Sequence, residues 1–331
     1  MANRHTKQKR DAVLKSGRPP LAKTTNKKTM SSKATQKTIV TFHQLQKDLA
    51  TAKAQKKTTL VSGLESQIQA LGGIKAYQAA SIQGQSADRG GDSSLILMKW
   101  LNSVKCDLSE LQPKFKMLEV GALSTKNACS KSGCFEITRI DLNSQASGIL
   151  QQDFMQRPLP SSTSLEADEE KFDVIALSLV LNFVPSGAER GEMLRRTTKF
   201  LRQRQVEAEW DGCSSEVSSD ATFPSSPIRK VTPTDDSVLP ASLTDYRSTL
   251  FLVLPASCVL NSRYFNDERL TLIMASLGYV MLERKTSSKL IYYLWQLRDD
   301  PAPPQEQNFK KLKVRDGPGM NNFHVELKPE T

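Results

Sequence analysis

Met117-Leu118-Glu119-Val120-Gly121-Ala122 is a short apolar run ending in an acid and a glycine. Ile137-Thr138-Arg139-Ile140-Asp141, further along, alternates and ends in a carboxylate, with Leu142-Asn143 after it. Strand, glycine turn, helix, then a second strand with an acid at its tip is how a doubly wound sheet holds a ribose. Glycine lets the backbone approach the ligand, and the acid accepts hydrogen bonds from the ribose hydroxyls. Gly121 stands alone, so the three-glycine loop that cradles a pyrophosphate is not supported. A ligand with a ribose and no phosphate fits better, and S-adenosylmethionine is the obvious one.

The elements on either side extend the pattern. Phe115–Val120 and Phe135–Ile140 read as strands, and Phe172–Leu179 is a near-continuous apolar run suited to a central strand. Arg190–Arg204 reads as a helix, Thr249–Leu254 as a buried strand, and Leu270–Leu277 as a helix stopped by Gly278. Val280–Lys285 and Lys289–Leu297 pair as a terminal hairpin. This is an α/β chain with a Rossmann-like methyltransferase sheet over residues 111–298. A helical extension is expected over 39–110: Phe42, Leu45, Leu49, Leu60, Leu64, Ile68 and Leu71 recur at mostly helical spacing, with Gly72-Gly73 as a break. A second amphipathic helix follows through Leu95–Val104, with Asp92-Ser93-Ser94 supplying caps. Glu207–Pro240, rich in Ser, Thr, Asp and Pro, reads as a disordered insertion, and 299–331 as a flexible tail whose Lys310-Lys311-Leu312-Lys313 is suited to RNA.

Several residues fall where a ligand would lie. Gly121, Asp141 and Ser178 sit at strand ends. Asp153-Phe154 offers a carboxylate to an adenine amino group and an apolar face to its ring. The polar loop Gly84–Asp92 reads either as a plain helix–helix connection or as a flap over the ligand, with Arg89 able to grip a carboxylate. After the third strand, Asn182 is placed to hydrogen-bond a base edge and Phe183 to stack on a flipped base; packing of Phe183 inward is the competing expectation. Arg263 and Tyr264, after the Thr249–Leu254 strand, are candidates for contact with substrate phosphate or base.

Charge is unevenly placed. Residues 1–57 hold 15 Lys/Arg against Asp11 and Asp48, a balance of +13, while the rest carries 31 basic and 33 acidic residues. A basic, acid-poor arm over 1–38 cannot bury a core and is attracted to polyphosphate, which points to RNA and to the nucleus or nucleolus. No apolar stretch approaches the roughly 18–20 residues that span a bilayer, so no membrane is expected. The five cysteines form no CxxC pair, and their scatter fits reduced thiols without a zinc site.

Residues 84–94 (GQSADRGGDSS), 118–123 (LEVGAL), 140–143 (IDLN), 152–154 (QDF), 178–185 (SLVLNFVP) and 254–264 (LPASCVLNSRY) resemble the fungal nucleolar 25S ribosomal RNA adenine-N1 methyltransferase family. The resemblance covers roughly residues 75 to 297. It implies methylation of N1 of one adenine in large-subunit rRNA, within pre-ribosomal particles, with S-adenosylmethionine as cofactor and no metal. Gly121, Asp141, Arg89, Asp153, Phe154 and Ser178 match the family's cofactor positions. An animal relative of the family resembles an S-adenosylmethionine sensor without transfer activity; the basic arm and the base-facing Asn182-Phe183 separate the two readings.

Overall fold

The computed structural model describes residues 30–84, 91–102, 114–144, 146–160, 169–202, 246–298 and 308–329. Phe115–Val120 forms β1 and Phe135–Asp141 forms β2, parallel and in register from Phe115 beside Phe135 to Val120 beside Ile140. Leu150–Gln151 is a short edge strand, β3; Val174–Ser178 is β4, Thr249–Pro255 is β5, Tyr279–Thr286 is β6 and Leu290–Leu297 is β7. Their order across the sheet is β3-β2-β1-β4-β5-β7-β6. The first five run parallel and β7 lies antiparallel between β5 and β6. This is the Rossmann-like class I methyltransferase sheet, hairpin included. Order reverses between β1 and β4, so the crevice outside their carboxyl ends is where a ligand belongs.

Both faces are covered, which is why the central strands are apolar almost without interruption. On one face α4 (Ser94–Leu101) sets Leu97, Trp100 and Leu101 against Phe115, Met117 and Phe251, with the short α5 (Ala128–Lys131) beside them. On the other, α6 (Gly187–Phe200) and α8 (Asp267–Ser276) bury Met193, Leu194, Phe200, Leu270, Ile273 and Met274 against Leu118, Ile175 and Leu252. The α6 helix starts three residues before the expected Arg190 because Ser186 and Glu189 close a capping box. It ends at Phe200, where Leu201 turns extended and bridges to Phe172. A five-residue helix after β5, α7 (Ala256–Leu260), was not expected.

Two regions correct the sequence reading. Residues 32–38 are not disordered: Ser31 caps Ala34 N–H and opens α1 (Ser32–Ala54), followed by α2 (Thr58–Ala70) and α3 (Gly73–Gly84). Six of the 15 basic residues counted into the arm belong to α1 or the turn after it. Residues 308–329 are not a loose tail either. They bury Phe309, Phe323, Val325 and Leu327 in the α6/α8 core and form a strap across that face. The strap is tied on by side chains reaching its backbone: Ser262 Oγ and Arg190 donate to the Phe323 and His324 carbonyls, and Asn321 answers with its amide to Ser257 O. The 207–240 insertion, most of the 84–92 loop and Arg89 lie outside the described residues.

Candidate functional site

Gly121 leaves β1 with φ +73, and a Cβ there would come within 2.6 Å of Val180 Cγ2, so the backbone passes the β4 loop at a distance only glycine allows. Opposite it, Leu179 leaves β4 in the left-handed region at φ +60. A branched residue held so is strained, and such strain collects at ligand sites. Ser178 Oγ lies 2.7 Å from Ser93 Oγ, which draws the 91–94 segment across the strand ends.

Behind Gly121 lies a cavity of about 50 Å³ lined by Asp92, Ser93, Ser94, Glu119, Gly121, Asn127 and Ser178 among others. That is room for an ammonium-sized group. Among the described residues, no lysine or arginine lines it. Asp92 is held by Ala128 N–H at 2.5 Å and by Ser94 N–H at 2.9 Å. Glu119 accepts from Asn127 Nδ2 at 2.8 Å through one oxygen, while Oε2 is buried with no hydrogen-bond partner and Arg139 Nε stands 3.6 Å away. Burial pushes the Glu119 carboxyl up to about 7, against the pull of Asn127 and Arg139. A site lined by two acids, one of them with an oxygen that accepts no hydrogen bond, suits a cation better than a phosphate.

Asp141, at the tip of β2, accepts Asn143 N–H at 2.8 Å, and its partial burial raises its pKa. The edge pairing of Asp141 with Gln151 carries the chain past it, so Gln152 N–H reaches Asp141 O and Asp153 follows directly. Asp153 holds Met155 N–H at 2.8 Å and is only partly buried. The structure thus brings Gly121, Asp141, Asp153 and Ser178 to the carboxyl edge of the sheet. Phe154 is different. Its ring is 2% exposed, packs against Phe200 at 5.5 Å and lies under the Arg196 guanidinium, so it is core and offers no face to an adenine.

The residues after β4 bring a second correction. Phe183 neither packs inward nor stands open: the His43 ring of α1 stacks on it at 3.6 Å and 20°, and Tyr77 of α3 meets both rings edge-on. Burial, then Lys47, lowers the His43 pKa to about 3, which leaves the imidazole neutral. His43 Nε2 and Asn182 Oδ1 are both buried without a hydrogen-bond partner. Helical periodicity marked Phe42 as apolar but gave no reason to single out His43 or Tyr77, far away in sequence; only the fold brings them to β4. Arg263 is likewise committed elsewhere, donating to Met320 O and Gly317 O of the strap. Tyr264 lies under Lys311 Nζ at 4.4 Å.

The sequence profile of a family described as 25S rRNA (adenine(2142)-N(1))-methyltransferase, Bmt2, matches residues 62–325. This chain belongs to that family. A Saccharomyces cerevisiae protein named 25S rRNA (adenine(2142)-N(1))-methyltransferase is 36% identical over 271 residues, 81% of this chain and 64% of its own length. The chain therefore spans a little under two thirds of that relative. A Schizosaccharomyces pombe protein named 25S rRNA adenine-N(1) methyltransferase is 32% identical over 267 residues, 80% of each chain. Among solved structures, the N-methyltransferase NodS from Bradyrhizobium japonicum, in complex with S-adenosyl-L-homocysteine, aligns with 60% of this chain and 86% of its own at 13% identity and a TM-score of 0.31. That likeness is too distant to speak to this chain's chemistry. Within the Bmt2 family match lie Gly121, Asp141, Asp153 and Ser178, together with Tyr77, Asn182 and Phe183; His43 falls before it.

Proposed function

We propose that this chain transfers the methyl group of S-adenosylmethionine to N1 of an adenine in large-subunit ribosomal RNA. The observation that carries the reading is the meeting of Gly121, Asp141 and an acid-lined cavity at the topological switch point of a Bmt2-family chain. Asp141 would hold the ribose hydroxyls and Asp153 the adenine amino group. Glu119 and Asp92 would face the positive end of the cofactor, where Glu119 Oε2 has no hydrogen bond and only the Arg139 guanidinium at 3.6 Å as an ion-pair partner. When bound, S-adenosylmethionine supplies a methyl group on a sulfonium, activated for displacement. The sensor reading has no observation in its favour here, and both relatives are named as transferases.

Adenine N1 already carries a lone pair, so no general base is needed, and the chain's task is to position the base and exclude water. N1 is buried in a Watson–Crick pair, so the target must be unpaired or flipped, at a cost of a few kcal/mol that stacking on an aromatic ring offsets by about 1–3 kcal/mol. On the RNA side the strap supplies exposed Lys310 and Lys311, with Tyr264 beneath Lys311. The basic N-terminal arm supports residence in the nucleolus and contact with pre-ribosomal particles.

The test is cofactor binding by calorimetry. Asp141→Ala removes charge-assisted hydrogen bonds of about 2 kcal/mol and is expected to weaken S-adenosylmethionine about 30-fold. Unchanged affinity would remove Asp141 from the site.

A further inference from the structure

The Phe183 ring stands just beyond the carboxyl end of β4, at the switch point, beside the strand tips that hold Gly121 and Ser178. A base presented for methylation has to lie against this edge, and a flat apolar ring is the surface on which it would stack. That surface is covered. The His43 imidazole lies on it at a spacing and tilt that match a stacked base, 3.6 Å and 20°, with Tyr77 closing the side at 4.9 Å from His43 and 5.9 Å from Phe183.

Two polar atoms beside this stack have nothing to bond. Asn182 Oδ1 is buried and unpartnered, and so is Nε2 of the intruding His43. A native structure rarely keeps one such atom without a reason, and here there are two, one on the ring that covers Phe183 and one on the residue before it. If His43 left, its nitrogen would reach water and Asn182 Oδ1 would be free to accept from an incoming donor. Resting on the proposed adenine methylation, we infer that the face of Phe183 now covered by His43 is the binding site of the target base. Asn182 Oδ1 accepts from its exocyclic amino group, and the His43 imidazole is a stand-in that leaves when RNA arrives.

The chemistry matches adenine. Its N6 amino group is a donor next to N1 on the Watson–Crick edge, so an acceptor that takes N6–H fixes the edge while leaving the N1 lone pair unblocked. Guanine and uracil present a carbonyl at the corresponding place and would set two acceptors against each other, a repulsion that selects against them. The stand-in is held by ring contacts with Phe42, Tyr77 and Phe183. Leu49, Ala52 and Leu64 of α1 and α2 form a small cluster of their own, separate from both sheet cores, and Phe42, buried beside His43, stacks on Tyr77 of α3 and not on the sheet. Removing the imidazole therefore does not require opening the sheet. Lys47, one turn beyond His43 on the same helix face, lies within electrostatic reach of Arg190 and has no carboxylate among its charged neighbours. It is placed to meet the phosphate that accompanies the base.

The test uses the full-length protein and a short RNA carrying the adenine that the wild-type chain methylates. His43→Ala is expected to lower KM for RNA three- to tenfold, with kcat and S-adenosylmethionine affinity unchanged. His43→Phe, which refills the slot without a polar atom, is expected to raise it. Phe183→Ala is expected to raise KM at least tenfold. In parallel, the target adenine is replaced by purine riboside, which lacks the amino group. The wild-type kcat/KM is expected to fall 10- to 100-fold, and Asn182→Ala to cost nothing further on that substrate. A His43→Ala variant that loses as much kcat/KM as Phe183→Ala, or is unchanged, overturns the stand-in. An Asn182→Ala variant that loses its full factor on purine riboside RNA overturns the amino contact, and this arm remains decisive if the α1 variants misfold. Failure of the wild-type chain to label any RNA adenine would instead sink the methyltransferase reading itself.

Discussion

At Glu119, burial and chemistry pull against each other. The carboxyl is pushed up to about 7 chiefly by desolvation, so the folded chain holds a proton there that the unfolded chain releases near 4.5. A group whose folded pKa is raised stabilises the fold fully below the unfolded value, and that contribution is lost as pH rises through about 7. Glu119→Gln has the shape of the protonated acid and does not titrate. The cofactor-free variant and wild type should melt together near pH 5, and the variant should gain on the order of 1–2 kcal/mol by pH 8. A melting difference that does not move with pH would contradict the raised pKa. Glu119 stood in the quoted motif, but the sequence offered no ligand role for it, because its value depends on how deeply the 91–94 segment buries it. Gly121 and Asp141 were legible for the opposite reason. Their places at strand tips were readable because strand tips show in alternation and a glycine. Phe154 was misread because Asp-Phe describes a carboxylate beside a ring without saying which way the ring turns.

Among the elements, the strands were legible nearly to the residue, since apolar runs bounded by polar loops survive burial on both faces. The 308–329 strap was not. Phe323, Val325 and Leu327 do alternate, but over five residues only and fourteen residues away from Phe309, and the segment is held largely through hydrogen bonds to its own carbonyls, which leave no mark in composition. Arg263 illustrates this, donating to the Met320 and Gly317 carbonyls of the strap at 2.6 and 3.2 Å. Gly191 in α6 is the matching device: a Cβ there would collide with the Glu326 carbonyl oxygen of the strap. Gly191→Ala should therefore lower the melting temperature of the full chain. In a chain ending at residue 307, itself less stable, the same change should be neutral or gain up to about 1 kcal/mol from helix propensity. Equal effects in both backgrounds would mean that the strap does not press on α6.

Taken whole, the molecule is a methyltransferase sheet with helices α1–α3 set over one end of its ligand crevice and a basic arm leading into them. The charge asymmetry was plain in the sequence, but the boundary was drawn too late, because lysines on the outside of α1 look the same as lysines in an arm. Deletion of residues 1–29, which spares the Ser31 cap, should weaken RNA binding, flatten its salt dependence and disperse the protein from the nucleolus while leaving S-adenosylmethionine affinity intact. Loss of cofactor affinity would mean that the arm belongs to the site. The central claim is most directly tested by methyl transfer. Purified protein, labelled S-adenosylmethionine and unmodified large-subunit rRNA are combined, and the digested nucleosides are resolved by mass spectrometry. The account expects label in 1-methyladenosine that falls about 30-fold with Asp141→Ala when the cofactor is held well below its dissociation constant. Saturable cofactor binding with no label in any RNA nucleoside would contradict it.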